Sequence, residues 1–261
     1  MPTVVKPRGR GRPPTHPVDR VRTKLWFNAV KQSSGMSSAY ALEMAFDGDR
    51  IRKRVTDVAR PRKWDGYQKG ASVPSDKPGP RNVVEQAEAM FPGTARWFRS
   101  PLWASLRGEA FDSRMIEDAL RGLEPEVVSV LFEAEPREHE KAPRQRPFDA
   151  NSVKQLLDIG SFDALVAAVL LVGLSEAIAS PELRERALHV YVEIQAPLRQ
   201  MPDMDGIYPE LFSLIDYRCK HWVYTSSNQR MDVVIFWQGV AKEHAKRLRE
   251  PDNATPPSGE T

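Results

Sequence analysis

The chain has a single cysteine, Cys219, among its 261 residues. One cysteine excludes an internal disulfide and fits a reducing compartment. The sequence also lacks an apolar run long enough for a membrane span, because its most apolar stretch contains Asp163, Ser175 and Glu176. The arginines near the N-terminus are not followed by the apolar segment of a secretory signal. We therefore expect a cytoplasmic protein that contacts no membrane and associates with the nucleoid.

Signatures of catalysis are equally scarce. Gly9 and Gly11 follow no strand and precede no helix, so they do not form a phosphate-binding loop for a dinucleotide or nucleoside triphosphate. Cys219 and His221 would point to different sides of a helix, which favours ordinary packing over a zinc site or a nucleophile pair. The glutamates of residues 133–140 lie in a predicted linker that would hold no acid–base geometry. We expect no enzymatic activity, no cofactor and no metal.

Charge is divided unequally along the chain. Residues 1–81 contain 18 lysines and arginines against seven aspartates and glutamates, a net charge of +11. Because the whole chain carries +3, the remaining 180 residues carry −8. A basic segment of this size repels itself unless salt or a polyanion screens it, which favours a nucleic-acid partner. The alternative is a basic segment that is merely soluble.

Apolar residues recur at helical spacing through most of the chain, and no convincing pair of strands is evident. The sequence therefore predicts a mostly α fold with a helix-turn-helix-like N-terminal bundle, a helical C-terminal domain and a disordered basic N-terminal tail. The predicted divisions are a tail at residues 1–20, a DNA-binding domain at 21–133, a Pro-rich linker at 134–150, an interaction or dimerisation domain at 151–249 and a tail at 250–261.

The N-terminal tail contains the tetrapeptide Arg10-Gly11-Arg12-Pro13, preceded by Arg8. This segment resembles the AT-hook, although that family usually has further lysines or arginines where this chain has Thr15 and His16. The resemblance implies an extended segment in the minor groove of A·T-rich DNA, with arginines inserted where the narrow groove concentrates negative potential. The alternative is a generic basic tail.

Residues 23–46 are predicted to form two helices joined by a short turn, followed by Trp64, Tyr67, Gly70 and Pro74 and then by another helix from Asn82. This order resembles the helix-turn-helix domains of Cro/C1-type repressors. The resemblance implies a small bundle with one helix against DNA and a partner helix across the phosphate backbone. The connection between residues 47 and 62 is longer than that family's.

A run of basic residues occupies this connection and its C-terminal flank. Its members are Arg50, Arg52, Lys53, Arg54, Arg60, Arg62, Lys63 and Lys69. Helical spacing places Arg50, Lys53 and Arg54 on one face, which favours phosphate binding over the alternative of a solvated face of a core helix. Trp64 and Tyr67, three residues apart, are expected to pack in the core; the alternative is that they stack on sugars or bases.

These features predict a DNA-binding protein of bacterial type, either a transcriptional regulator or a DNA-associated protein of a mobile or defence element. The acidic C-terminal domain is expected to bind a second copy or a protein partner, or else to be a plain monomeric bundle. The main alternative is a helical adaptor whose basic arm binds RNA, a ribonucleoprotein or an acidic protein. A nuclease would need a carboxylate cluster that the sequence does not reveal.

Overall fold

The computed structural model describes residues 15–48, 62–109, 111–136 and 142–219, together with the backbone of two short strands that follow. This part of the chain is mostly helical, which confirms the predicted fold class. The N-terminal half contains α1 Pro17–Ser34, α2 Ala39–Asp47, α3 Lys63–Gln68, α4 Val83–Met90, α5 Ala95–Arg99, α6 Leu102–Leu106, α7 Ser113–Arg121 and α8 Pro125–Leu131. The C-terminal half contains α9 Ala150–Ile159, α10 Phe162–Ala177, α11 Pro181–Glu193, α12 Gln195–Arg199, a 3₁₀ turn Pro202–Met204 and α13 Tyr208–Cys219.

Side-chain caps explain why many of these helices begin where they do. An oxygen of the preceding Ser, Asn or Asp accepts a hydrogen bond from a main-chain N–H in the first turn, which satisfies one of the otherwise unpaired donors of a helix start. The capping residues are Ser38, Asn82, Asp112, Asp149, Ser161 and Ser180. The C-terminus of α1 is closed by Gly35 in the left-handed conformation (φ 67°), where glycine has no steric penalty.

Helix α10 occupies the centre of the molecule. Thirteen of its 16 residues are buried, as expected for a helix that is apolar on almost every side. Helices α6, α7, α8, α9, α11 and α13 all contact it. The expectation that this segment is surrounded by other helices is therefore confirmed.

One hydrophobic core includes buried residues from α1 through α13. Trp97 of α5 stacks on Phe162 of α10 with ring centroids 4.6 Å apart. The Asn28 side chain in α1 donates hydrogen bonds of 3.0 Å to the carbonyl oxygens of Asp203 and Asp205. The structure thus differs from the predicted division into two domains, because apolar faces from both halves are buried against each other.

The predicted linker and tail boundaries also differ from the structure. Within residues 134–150, Phe148 is buried, and Gln145 forms an antiparallel bridge with Phe132. The main-chain N–H of Arg146 donates to the carbonyl of Leu131 at 2.8 Å. Helix α1 begins at Pro17 rather than after residue 20, because proline is favoured in a first turn and Val18 is buried.

A β-hairpin follows α13, where the sequence gave no sign of strands. Strands β1 Trp222–Ser226 and β2 Gln229–Asp232 pair antiparallel, with Trp222 opposite Asp232 and Val223 opposite Met231. The predicted helix at residues 208–222 therefore ends at Cys219, and the predicted helix at 231–249 is wrong at its first two residues. Residues 233–249 and the predicted tail at 250–261 lie outside the described part of the chain.

Candidate nucleic-acid interface

Helix α3 joins the basic segments of the sequence to the folded body. Its two aromatic residues point inward, with Trp64 fully buried and Tyr67 only 5% exposed. Trp64 stacks on Trp26 of α1 at 5.7 Å and lies 4.6 Å from the ring of Phe46. Burial raises the pKa of Tyr67 to about 12, with a further contribution from the nearby negative charge of Asp47. These two aromatic residues are core groups, as expected, and neither is accessible to a base.

The N-terminus of α3 is held by a buried carboxylate. Glu43 of α2 is fully buried, and its Oε1 accepts a hydrogen bond of 2.9 Å from the main-chain N–H of Lys63. Arg62, just before the helix, has a left-handed backbone (φ 51°), which is uncommon for a residue other than glycine. The chain therefore enters α3 in a fixed direction immediately after the basic connection.

The C-terminal end of α3 packs against the start of α1. Gly70 has a φ of 64°, and a β-carbon placed there would lie 2.8 Å from the carbonyl oxygen of Arg20. One residue further on, the carbonyl oxygen of Ala71 accepts a 3.2 Å hydrogen bond from Thr15 Oγ1. Thr15 is the first described residue after the basic tail. The tail therefore joins the body beside the end of α3.

Both basic segments thus attach near the same short helix. The tail attaches beyond its C-terminal end at Thr15, and the basic connection returns at its N-terminal end at Arg62. Six helical residues span only about 9 Å. The predicted contacts Arg8, Arg10, Arg12, Arg50, Arg52, Lys53, Arg54 and Arg60 themselves lie outside the described residues.

The remaining predicted contacts have different surroundings. Arg62 and Lys69 are exposed, and neither forms a salt bridge with any described residue. The Lys63 ammonium lies 3.6 Å from Asp47 Oδ2. Two cations at the ends of α3 are therefore available to an external anion, whereas Lys63 is partly neutralised within the fold.

Other cations of the first 81 residues are paired with carboxylates, including one from the acidic half. Glu210 of α13 accepts contacts from Lys24 at 2.6 Å and from Arg20 at 3.4 Å. Asp19 pairs with Arg22 at 2.9 Å and also with Arg107. These pairs remove the inner face of α1 from the candidate interface and confine it to α3 and the two segments attached there.

The described residues offer little to other chemistry. Cys219 is buried, and burial raises its pKa to about 12, so the thiol is protonated at neutral pH. No group of three metal-ligating side chains occurs in the described ranges. No helix there has the length and apolar character needed to cross a membrane.

No protein-family model matches the chain, and no curated protein or solved structure is significantly similar to it. The AT-hook and Cro/C1 resemblances therefore stay predictions from the residues. The sequence analysis did not identify Glu43, Gly70 or Glu210 as residues that position this surface. Glycine two residues after a short helix was the available signal for Gly70; a buried glutamate inside an amphipathic helix has no comparable sequence signature.

Proposed function

We propose that this chain is a DNA-binding protein in which the N-terminal tail and the basic connection engage one duplex together. The observation that carries the proposal is their attachment at opposite ends of α3, about 9 Å apart. Arginines of the tail would enter the minor groove of A·T-rich DNA, and the connection would contact phosphates. Arg62 and Lys69 add exposed positive charge at the same place.

The charge distribution supports nucleic acid over an acidic protein as the partner. Paired cations of α1 face the body, while the cations without a described partner lie at or near α3 or in the following loop, including Lys77 and Arg81. A surface of one sign that follows a regular row of phosphates releases counterions with each contact. The finer role, as a transcriptional regulator or as a DNA-associated protein of a mobile or defence element, belongs to the same proposal, as do its cytoplasmic, nucleoid-associated location and its dimerisation through the C-terminal half.

The test is fluorescence anisotropy with a labelled 20-base-pair duplex and three variants of the full chain. One variant carries alanine at Arg8, Arg10 and Arg12, and a second at Arg50, Lys53 and Arg54. A matched control removes the same charge elsewhere, at the exposed residues Arg114, Arg146 and Lys154.

We expect each test variant to weaken binding by roughly tenfold or more and the control to change it little, because charge-assisted contacts each contribute about 1.5–3 kcal/mol. Equal losses in all three variants would show that only net charge matters and would reject a localised interface. A double-stranded RNA of the same length, bound more tightly than the DNA, would instead favour the adaptor alternative.

A further inference from the structure

A recess on the opposite functional half of the fold has the dimensions of a small-molecule site. It lies between the loop after α6, the start of α7 and the C-terminal parts of α10 and α13, and has a volume of about 570 Å³. Ligand pockets in proteins commonly have volumes of 300–1,000 Å³. Ile116, Leu170 and Phe111 provide apolar lining, while Arg218 and Glu176 supply charge.

The recess is kept open by a glycine in the middle of a buried helix. A β-carbon at Gly173 would meet Ile116 Cδ1 at 3.6 Å and Arg218 Nη2 at 3.9 Å, which are ordinary contacts. Alanine would therefore fit and would favour the helix over glycine. The space above Gly173 is thus not demanded by the packing of its neighbours.

Arg218 is fixed beside this space by two contacts. Its Nε donates to the carbonyl oxygen of Ser105 at 3.1 Å, and its Nη1 lies 3.3 Å from Glu176 Oε2. The Nη2 group has no hydrogen-bond partner among the described residues and lies over Gly173. One guanidinium nitrogen is therefore oriented toward the recess and available to a ligand.

The acid beside Arg218 is already neutralised. Glu176 Oε1 accepts a 2.7 Å contact from Arg184, whose side chain is 3% exposed and which also donates to the carbonyl oxygen of Cys219 at 2.6 Å. Both oxygens of Glu176 are thus engaged by arginines, and two cations share one carboxylate. The remaining charged lining, Arg107 and Glu109, is exposed at the rim.

We propose that this recess binds a small organic acid with an apolar body. The carboxylate would accept from Arg218 Nη2, and an aromatic or branched aliphatic body would lie against Ile116, Leu170 and Phe111. Arginine suits this role because its guanidinium is always charged and its donors have a fixed planar geometry. The proposal concerns a site distinct from α3 and does not depend on DNA binding.

The experiment titrates the full chain with 2-naphthoate and with its neutral counterpart 2-naphthamide, by isothermal calorimetry. Arg218→Gln removes the proposed anion contact. Its matched control is Arg186→Gln, since Arg186 also donates to a main-chain carbonyl, that of Phe148 at 2.8 Å, but lies outside the recess. Gly173→Leu fills the recess, with Gly173→Ala as its control, and circular dichroism checks that each variant stays helical.

We expect naphthoate to bind the parent chain more tightly than naphthamide, and Arg218→Gln to weaken naphthoate about tenfold or more while changing naphthamide little. Gly173→Leu should abolish binding of both, whereas Gly173→Ala and Arg186→Gln should retain it. If Gly173→Leu disrupts the helix, Ala177→Leu at the exposed end of α10 provides the same occlusion. Absence of naphthoate binding at about 1 mM, or binding that survives both the arginine and the occluding substitutions, would overturn the proposal.

Discussion

Replacing Trp64 by alanine is the sharpest test of the core that supports α3. The Trp64 side chain is fully buried, and its ring contacts those of Trp26, Phe27, Phe46 and Tyr67 at centroid distances of 4.6 to 6.3 Å. Truncating a buried tryptophan to alanine typically lowers the free energy of unfolding by about 3–5 kcal/mol. For a domain of this size, each kcal/mol corresponds to a Tm change of roughly 2–4 °C. We therefore expect the Tm of Trp64→Ala to fall by roughly 6–20 °C.

The indole Nε1 of Trp64 has no hydrogen-bond partner although it is buried, so Trp64→Phe removes an unsatisfied donor along with some volume. We expect this conservative variant to be more stable than Trp64→Ala and to keep the DNA affinity of the parent chain. Differential scanning calorimetry measures stability, and Met115→Ala, at a half-exposed position, should change the Tm little. A Trp64→Ala chain of unchanged Tm but reduced DNA affinity would refute the assignment of Trp64 to the core and support base stacking.

Three further substitutions test separate parts of the structure. Alanine at Arg10 and Arg12 together should weaken binding to A·T-rich duplex by roughly tenfold and to G·C-rich duplex much less; equal losses on both would reduce the tail to a store of charge. Gly70→Ala should destabilise the chain more than Gly35→Ala in urea unfolding, because both glycines have positive φ but only the β-carbon at position 70 would collide with Arg20, and equal effects would contradict the packing of α3 on α1. Burial raises the pKa of Asp163, so the folded state binds protons more strongly than the unfolded state, and stability falls as the pH rises from the unfolded pKa through the folded one. Asp163→Asn can still accept from the N–H of Glu124, so it should raise the Tm at pH 7 and lose that advantage at pH 3; an advantage independent of pH would exclude this titration as its cause.

Local features of the fold were predictable because they depend on neighbouring residues. Ser38 and Ser180 cap the helices that the sequence assigns to them, and Gly35 ends α1. The burial of α10 on nearly all sides follows from its composition, since an entirely apolar helix has no face suited to water. The inward position of Trp64 and Tyr67 follows from their three-residue spacing.

Features that depend on distant residues were not predictable in this way. A Pro-rich, charged segment has the composition of a linker, yet Phe148 within it is buried against the body. The contacts of Glu210 with Arg20 and Lys24 join residues almost 190 positions apart, and no local pattern indicates them. The hairpin after α13 was missed because its strands are only five and four residues long, too short for a reliable alternation of apolar and polar residues.

The salt dependence of DNA affinity tests the central claim most directly. For B-DNA, the logarithm of the association constant falls with the logarithm of salt concentration by about 0.9 for each phosphate neutralised. If about five of the proposed cations contact phosphates, the full chain should give a slope of about −5, and alanine at Arg50, Lys53 and Arg54 should reduce its magnitude by two or three, in about that proportion. A slope near zero, or one that this variant leaves unchanged, would contradict the account.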